Sequence, residues 1–222
     1  MDHVNYPKIN TIYKREIGND KEGNPLIIGD YSTDCFEYLK DVKWNAEEKI
    51  DGTNIGVIFD GETVEFQGRS EKAQMIPELL ERLQDLFPVE KLKETFNKLE
   101  PGVQVVLYGE GFGRKIQKCG SAYIKNGVDF ILFDVKVGHW WLKRDKVEEI
   151  AASLGIRCVK LVGQLTFDEA IEMVKKGFVS YESEDRTLLA EGLVLKCPIG
   201  LLDRSGQRLI TKIKRRDFKN FT

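Results

Sequence analysis

Several short stretches of the chain alternate between apolar and polar residues, which is typical of β-strands that bury one face. In residues 63–67, for example, Val64 and Phe66 alternate with three polar residues. Alternation of this kind, together with apolar runs of strand length, predicts strands at residues 44–48, 55–59, 63–67, 103–108, 129–137, 156–162, 190–196 and 209–214.

Apolar residues recur with helical spacing elsewhere. Helices are predicted at residues 77–99, with a break at Pro88, at 143–154 and at 166–177. The last of these opens with Thr166 and Glu169, which form the pattern of a capping box. Together, the elements predict an α+β protein with an antiparallel sheet core and helices outside it.

Residues that could take part in catalysis or ligand binding lie on or beside the predicted strands. Lys49 stands just before Asp51 and Gly52, between the strands at 44–48 and 55–59. Taken alone, this pattern is typical of an ordinary hairpin with a solvated lysine.

The last predicted strand carries a pair of lysines. Thr211 and Ile213 share one face of it, so Lys212 and Lys214 share the other. Their ammonium groups, about 7 Å apart, would repel each other unless an anion lies between them. A polyphosphate would satisfy this pair, although a solvated edge strand would tolerate it through screening.

Two further predicted strands are of interest: Glu110 lies between two glycines after the strand at 103–108, and Phe133 lies within the strand at 129–137. After 103–108 comes Gly109-Glu110-Gly111, which lacks the Lys-Ser/Thr and the helix of a Walker-type phosphate loop. A carboxylate between glycines at a strand end suits a ligand hydroxyl, but a tight surface loop is the favoured interpretation of this segment taken alone. In 129–137, alternation predicts that Phe133, Val135 and Val137 share one face, opposite Leu132 and Asp134.

Composition narrows the function classes. The chain has 222 residues and a net charge of −2, so no global positive field indicates nucleic-acid binding. A local basic tail does exist, comprising Arg208, Lys212, Lys214, Arg215, Arg216 and Lys219 against Asp217. Four dispersed cysteines and only two histidines argue against zinc sites, disulfides and histidine-based catalysis. No signal peptide or membrane span is visible, which predicts a soluble, cytoplasmic protein.

Five segments, in order, resemble motifs I, III, IIIa, IV and V of the covalent nucleotidyltransferases. They are residues 49–54, 109–111, 130–134, 191–196 and 212–214. Asn54, the sequence Ile116-Gln117-Lys118 and the ending from Lys212 to Phe218 are similar to the RNA ligase 2 family in particular. The resemblance covers residues 44–218 and implies a ligase-type adenylyltransferase (ATP-grasp-like) fold, with antiparallel β-sheets flanked by helices.

The resemblance implies that Lys49 attacks the α-phosphate of ATP and forms lysyl-AMP. The amine must be neutral to attack, which neighbouring cations favour by disfavouring a further positive charge. ATP-binding residues are then expected at Glu48, Ile50, Asn54, Arg69, Glu110, Phe133, Glu191, Lys212 and Lys214. Glu110 would contact the ribose and Phe133 the adenine, while Glu191 would hold Mg²⁺, with Mn²⁺ also accepted.

The expected partner is RNA with 5′-phosphate and 3′-hydroxyl ends, in a nicked duplex of RNA or of RNA and DNA, and the protein is a candidate virus-encoded enzyme. Residues 1–222 are expected to form a single nucleotidyltransferase domain without an OB domain or separate C-terminal domain. RNA contacts would then come from the basic tail, from residues 114–118 and from an accessory domain or protein. Asp51 departs from the histidine common in the closest phage relatives.

Two alternatives remain open on sequence. One is a minimal ATP-dependent DNA ligase or a capping-type nucleotidyltransferase, which usually carries arginine where Asn54 stands. The other is a non-catalytic module that binds nucleotide or nucleic acid.

Overall fold

The computed structural model describes residues 4–16, 24–70 and 73–218, so Lys219 of the basic tail lies outside the described residues. The described residues divide into two compact units. Unit 1 contains residues 4–7, 51–70, 73–159 and 182–185, and unit 2 contains residues 8–16, 24–50, 160–181 and 186–218. Whether residues 1–222 act as one nucleotidyltransferase domain stays a prediction.

The strands are β1 Asn10–Thr11, β2 Tyr13–Arg15, β3 Leu26–Tyr31, β4 Trp44–Lys49, β5 Thr53–Phe59, β6 Val64–Gly68, β7 Val105–Gly113, β8 Val128–Val137, β9 Trp140–Trp141, β10 Arg157–Cys158, β11 Leu161–Leu165, β12 Gly192–Lys196 and β13 Ile210–Lys214. The α-helices are α1 Asp34–Tyr38, α2 Pro77–Leu86, α3 Val89–Thr95, α4 Gly120–Tyr123, α5 Arg144–Leu154 and α6 Phe167–Lys176, and Arg215–Phe218 forms a 3₁₀ helix. Within the described residues, no helix has the length and apolar character needed to cross a membrane.

Unit 1 is built on a sheet in the order β10-β8-β7-β5-β6, with β9 paired to β8. The neighbouring strands are antiparallel except for β10 and β8, which are parallel. One face of this sheet packs against α2, α3 and α5 in a single apolar cluster, where Val57 and Leu107 of the sheet meet Leu83 and Val147 of the helices. This burial fixes which side chains of the sheet point away from the helices.

Unit 2 is built on a sheet in the order β1-β13-β12-β4-β11, beside a hairpin of β2 and β3. Its apolar face joins Trp44, Leu193 and Ile213 to residues of α6 such as Phe167. The helix begins at a complete capping box between Thr166 and Glu169, as predicted. Because side chains alternate along each strand, the residues between these apolar positions lie on the opposite face.

The α+β class and most element positions are confirmed, but residues 156–162 do not form one strand. They form β10, which extends the sheet of unit 1, and β11, which pairs with β4 in unit 2. The alternation of apolar and polar residues identifies each short strand, but it does not show which neighbouring strand each one pairs with.

The Gly-rich segment is also not a loop, because β7 continues through Gly113 and places Glu110 inside a strand. Gly109 makes this possible: a Cβ there would lie 2.1 Å from the ring of Phe130 and 2.5 Å from the carbonyl oxygen of Ile131. Two strands and an aromatic ring thus meet where only glycine fits.

Gly109→Ala should therefore destabilise the protein by about 2–3 kcal/mol, since a buried methyl group forces the ring and the β8 backbone to shift. The measurement is the free energy of unfolding from urea titration. Gly163→Ala is the matched control, because no atom lies within 4 Å of its added methyl group. Equal urea midpoints for both variants and the wild type would contradict the prediction.

Candidate active site

Lys49 is the last residue of β4, and its strand does not form a hairpin with β5. β4 pairs with β12 and β11, whereas β5 pairs with β6 and β7, so the chain passes from the sheet of unit 2 to that of unit 1. The hairpin interpretation of Lys49, Asp51 and Gly52 is therefore wrong. The Nζ atom of Lys49 donates to Glu191 Oε2 at 2.6 Å and lies 3.4 Å from the carbonyl oxygen of Ile50.

Glu191 binds two lysines at once. Its Oε1 atom lies 2.9 Å from Lys214 Nζ, while Oε2 accepts the hydrogen bond from Lys49. Only 14% of the Glu191 side chain is exposed. Burial alone would raise the pKa of this carboxyl, but the charges and hydrogen bonds of Lys49 and Lys214 outweigh it, so the pKa lies below the ordinary value of 4.5. Glu191 is thus ionised at neutral pH.

The register of the paired strands places Lys49 and Lys214 in one row across the sheet. Lys214, Gly192 and Lys49 lie side by side on β13, β12 and β4. Gly192 keeps the strands close, because a Cβ at this position would lie 1.9 Å from the carbonyl oxygen of Ile213. A side chain in the middle of the row would separate the strands that bring Lys49 and Lys214 to Glu191.

The next two rows add charge to the same face. Lys212, Val194 and Glu47 form one row, and Ile210, Lys196 and Asn45 form the other. Lys196 Nζ lies 2.7 Å from Glu47 Oε2, whose side chain is 3% exposed. We call the set Lys49, Lys196, Lys212, Lys214, Glu47 and Glu191 the lysine face. Its four cations exceed its two anions, so it favours an anionic ligand.

The predicted separation of Lys212 and Lys214 from Thr211 and Ile213 is confirmed, since the latter two are buried. Sequence reasoning missed Glu47 and Lys196. A signal for Glu47 existed, because residues two apart on a strand share a face and Glu47 precedes Lys49 by two.

Glu48 faces away from the lysine face. Its carboxylate is buried and accepts hydrogen bonds from the Ser180 hydroxyl and the Tyr181 N–H. Ile50, directly after β4, is also buried. The nucleotide contacts expected of Glu48 and Ile50 stay predictions, and with both side chains buried they would be made by the backbone. The contact of Ser180 with Glu48 joins positions 132 residues apart, which no local pattern indicates.

Four predicted site residues lie in unit 1. Asn54 of β5 stands directly opposite Glu110 of β7, and opposite residues of an antiparallel pair project from the same face. Arg69 follows β6 and is exposed, as expected from its place at a strand end. Phe133 lies on β8.

Phe133 does not share a face with Val135 and Val137, so this prediction is wrong. Tyr108 pairs with Asp134 and Gly109 with Leu132, which leaves Phe133 as the extra residue of a β-bulge. The bulge shifts the alternation by one, so Leu132, Val135 and Val137 all join the helix-covered core.

Tyr6 contacts both residues at the bulge. Its ring meets Phe133 edge-on at 5.1 Å between centroids, and its hydroxyl donates to Asp134 Oδ2 at 2.6 Å. Sequence reasoning did not single out Tyr6, which lies 128 residues before Asp134.

A metal at this site would depend on Glu191. Among the described residues, no group of three or more His, Cys, Asp or Glu is arranged to hold a metal ion. Mg²⁺ needs no such group, since proteins often hold it with one or two carboxylates plus water and substrate phosphates. Glu191 supplies an ionised, largely buried carboxylate, and the lysine face favours the substrate phosphates that would provide the other ligands of the metal.

Residues 42–214 match the sequence model of the RNA ligase family, and this match covers more than half of the chain. The chain therefore belongs to the RNA ligase family, which confirms the resemblance found in the motifs.

Solved structures of Naegleria gruberi RNA ligase variants share its fold. One without ligand is 19% identical with a TM-score of 0.62, over 83% of this chain and 52% of that chain. One with ATP and Mn is 18% identical with a TM-score of 0.61, over 98% of this chain and 64% of that chain. The chain thus spans about half to two thirds of these proteins. A comparison with curated proteins gave no match.

Proposed function

We propose that this chain is the adenylyltransferase part of an ATP-dependent RNA ligase, with Lys49 as the nucleophile. The observation that carries the proposal is the contact of Lys49 Nζ with Glu191 Oε2 at 2.6 Å, beside Lys214 on the other oxygen. Family membership gives the reaction class, and this arrangement gives the amine that performs it.

In the first step, the lone pair of the neutral Lys49 amine attacks the α-phosphorus of ATP. A bond forms between Nζ and phosphorus, the bond from phosphorus to the bridging oxygen breaks, and pyrophosphate leaves. The ammonium form of Lys49 gives up one proton to water to become the neutral nucleophile, and the nitrogen gives up a second proton to water as the phosphoramidate forms. Its hydrogen bond to Glu191 fixes the direction of Nζ, which reduces the orientational cost of reaching phosphorus.

The remaining lysines stabilise the charge that develops on the phosphates. Lys214 lies in the row of Lys49 and Lys212 in the next, so both cations are carried on a rigid strand. Glu191 would hold a Mg²⁺ ion that arrives with ATP, and that ion supplies further neutralisation of phosphate charge. Naegleria gruberi RNA ligase has been solved with ATP and Mn, which supports the same nucleotide and a divalent metal here.

The unit 1 residues take the roles that the motifs give them. Glu110 accepts hydrogen bonds from the ribose, Phe133 stacks on adenine, Asn54 orients the nucleotide and Arg69 contacts phosphate or ribose. Asn54 and Glu110 stand opposite each other in the sheet, which supports a joint role for them.

In the later steps, AMP passes from Lys49 to a 5′-phosphate end, and a 3′-hydroxyl displaces it to seal the strand. The RNA ligase family match favours RNA over DNA as the sealed strand, and we propose a nick in duplex RNA or an RNA–DNA hybrid as the substrate. The contact of Glu191 with both Lys49 and Lys214 disfavours a non-catalytic module.

Incubation of the protein with ATP and Mg²⁺ should add the mass of one AMP, and incubation with GTP should add nothing. Intact mass spectrometry measures both. Absence of any adduct, with none already present after purification, would contradict the proposal. A second assay compares sealing of a nick in duplex RNA with sealing of the same nick in duplex DNA, and preferential sealing of DNA would favour the DNA-ligase alternative.

A further inference from the structure

Val4 and Tyr6 pack on the sheet of unit 1, on the face that its helices leave open. There they contact a small buried cluster of β5 and β7 residues, namely Ile58, Val106 and Tyr108. The same face carries Asn54 and Glu110, because residues separated by an even number of positions on a strand share a face. The N-terminal segment thus lies on the face that is expected to bind the nucleotide.

Gln67 of β6 fixes Val4 in this position. Its Nε2 atom donates to the Val4 carbonyl oxygen, and its Oε1 atom accepts from the Val4 N–H at 3.2 Å. Gly56 stands opposite Gln67, and a Cβ at Gly56 would lie 3.1 Å from both Cγ and Nε2 of Gln67. The glycine therefore leaves room for the amide that ties the N-terminal segment to the sheet.

Tyr6 is held by a carboxylate and by three aromatic rings. Its hydroxyl donates to Asp134 Oδ2 at 2.6 Å, and Asp134 is only 2% exposed. Its ring meets Phe133 and Tyr108 edge-on at 5.1 Å between centroids, and Trp141 at 5.7 Å. Such edge-to-face contacts are favourable because the positive edge of one ring meets the negative face of another.

Phe133 has particular need of such a contact. As the extra residue of the β-bulge, it has no residue directly opposite on β7, so no regular cross-strand pair fixes its side chain. It is also half-buried, which leaves part of the ring open to a ligand. A ring that is already held in one orientation loses less conformational entropy when a base stacks on it.

We propose that Tyr6 is a positioning residue for the adenine of ATP, because it holds the Phe133 ring in the orientation that stacks on the base. The inference rests on the proposed function, since that function assigns adenine to Phe133. Tyr6 makes and breaks no bond in the reaction. It acts through Phe133, and its contribution is to ATP affinity.

Tyr6→Ala should weaken ATP binding about 3- to 10-fold, which is the contribution of one well-placed aromatic contact. Isothermal titration calorimetry with ATP and Mg²⁺ measures the dissociation constant in the Lys49→Ala background, where no adduct forms. With Lys49 present, the KM for ATP in adduct formation should rise by the same factor, and the maximal rate should change much less, because Lys49 performs the attack. Tyr6→Phe keeps the ring and should bind ATP more tightly than Tyr6→Ala.

A double-mutant cycle tests whether Tyr6 acts through Phe133. Phe133→Ala should weaken ATP binding, and adding Tyr6→Ala to it should cause little further loss. Equal ATP affinity of Tyr6→Ala and the parent protein would overturn the inference, as would a full additional loss in the Phe133→Ala background. Tyr6→Leu fills the space without a flat ring and provides the same test if Tyr6→Ala does not fold.

Tyr31→Ala is the matched control, because Tyr31 is a half-buried tyrosine of unit 2 whose ring packs 5.0 Å from that of Tyr13. It should leave ATP affinity unchanged. Unchanged ATP affinity of Phe133→Ala would overturn the assignment of adenine to Phe133, and this inference with it. Failure of the wild type to form an adduct would instead overturn the proposed function, and the ATP titrations would still decide the role of Tyr6.

Discussion

Lys49→Ala should abolish formation of the AMP adduct at every ATP concentration. Alanine has no nucleophile, and the row of Lys214, Gly192 and Lys49 places no second amine at that position of β4. Lys49→Arg should be equally inactive, because the guanidinium stays protonated in proteins and has no free lone pair for attack. Intact mass spectrometry after incubation with ATP and Mg²⁺ measures the loss directly.

The linkage in the wild-type adduct provides a second test of Lys49. A phosphoramidate is cleaved by mild acid, whereas a phosphoester on a hydroxyl group survives it. Lys14→Ala is the matched control, since Lys14 is an exposed lysine whose Nζ lies 2.6 Å from Asp30 Oδ1. An adduct of normal yield on Lys49→Ala, or an acid-stable adduct on the wild type, would mean that another residue is the nucleophile.

Local patterns predicted the elements well where the element is defined by its own residues. The capping box at Thr166 and the break at Pro88 are short-range features, and both occur where expected. The end of α5 at Gly155 is another, because the left-handed conformation with φ of 59° is available to glycine at little cost.

Errors arose where an element is defined by its partner. The β-bulge at Phe133 depends on the register between β7 and β8, and a shift of one residue reverses which side chains face the core. The continuation of β7 through Glu110 likewise depends on pairing with β5 and β8. Neither register is encoded within a single strand.

The same distinction applies to the site. Lys49, Glu191 and Lys214 were expected from motifs, and the structure brings these three into contact. The ion pair of Glu47 with Lys196 and the hydrogen bond of Ser180 with Glu48 were missed, because each joins distant segments through strand pairing. Motifs identify the residues that do chemistry, and the residues that position them become visible only when the strands are paired.

Glu191→Gln should reduce the rate of AMP-adduct formation by about 100-fold or more while the protein stays folded. Glutamine has nearly the same shape but no charge, so it leaves the ammonium groups of Lys49 and Lys214 facing each other in a largely buried setting without an anion. It also removes the carboxylate proposed to hold the metal. Loss of one preorganised electrostatic contact typically costs this much in rate.

The pH dependence of the free energy of unfolding shows whether Glu191→Gln acts by removing the charge of Glu191 or by changing its packing. Because the pKa of Glu191 is lowered on folding, its ion pairs contribute stability above the ordinary value of 4.5 and lose it as pH falls through the folded-state value. The stability difference between wild type and Glu191→Gln should therefore be largest near pH 7 and shrink in acid. Glu172→Gln, which alters a 73% exposed carboxylate paired with Lys175, should show almost no difference at either pH. An unchanged difference between pH 7 and pH 3 would show that the packing of Glu191, and not its charge, stabilises the lysine face.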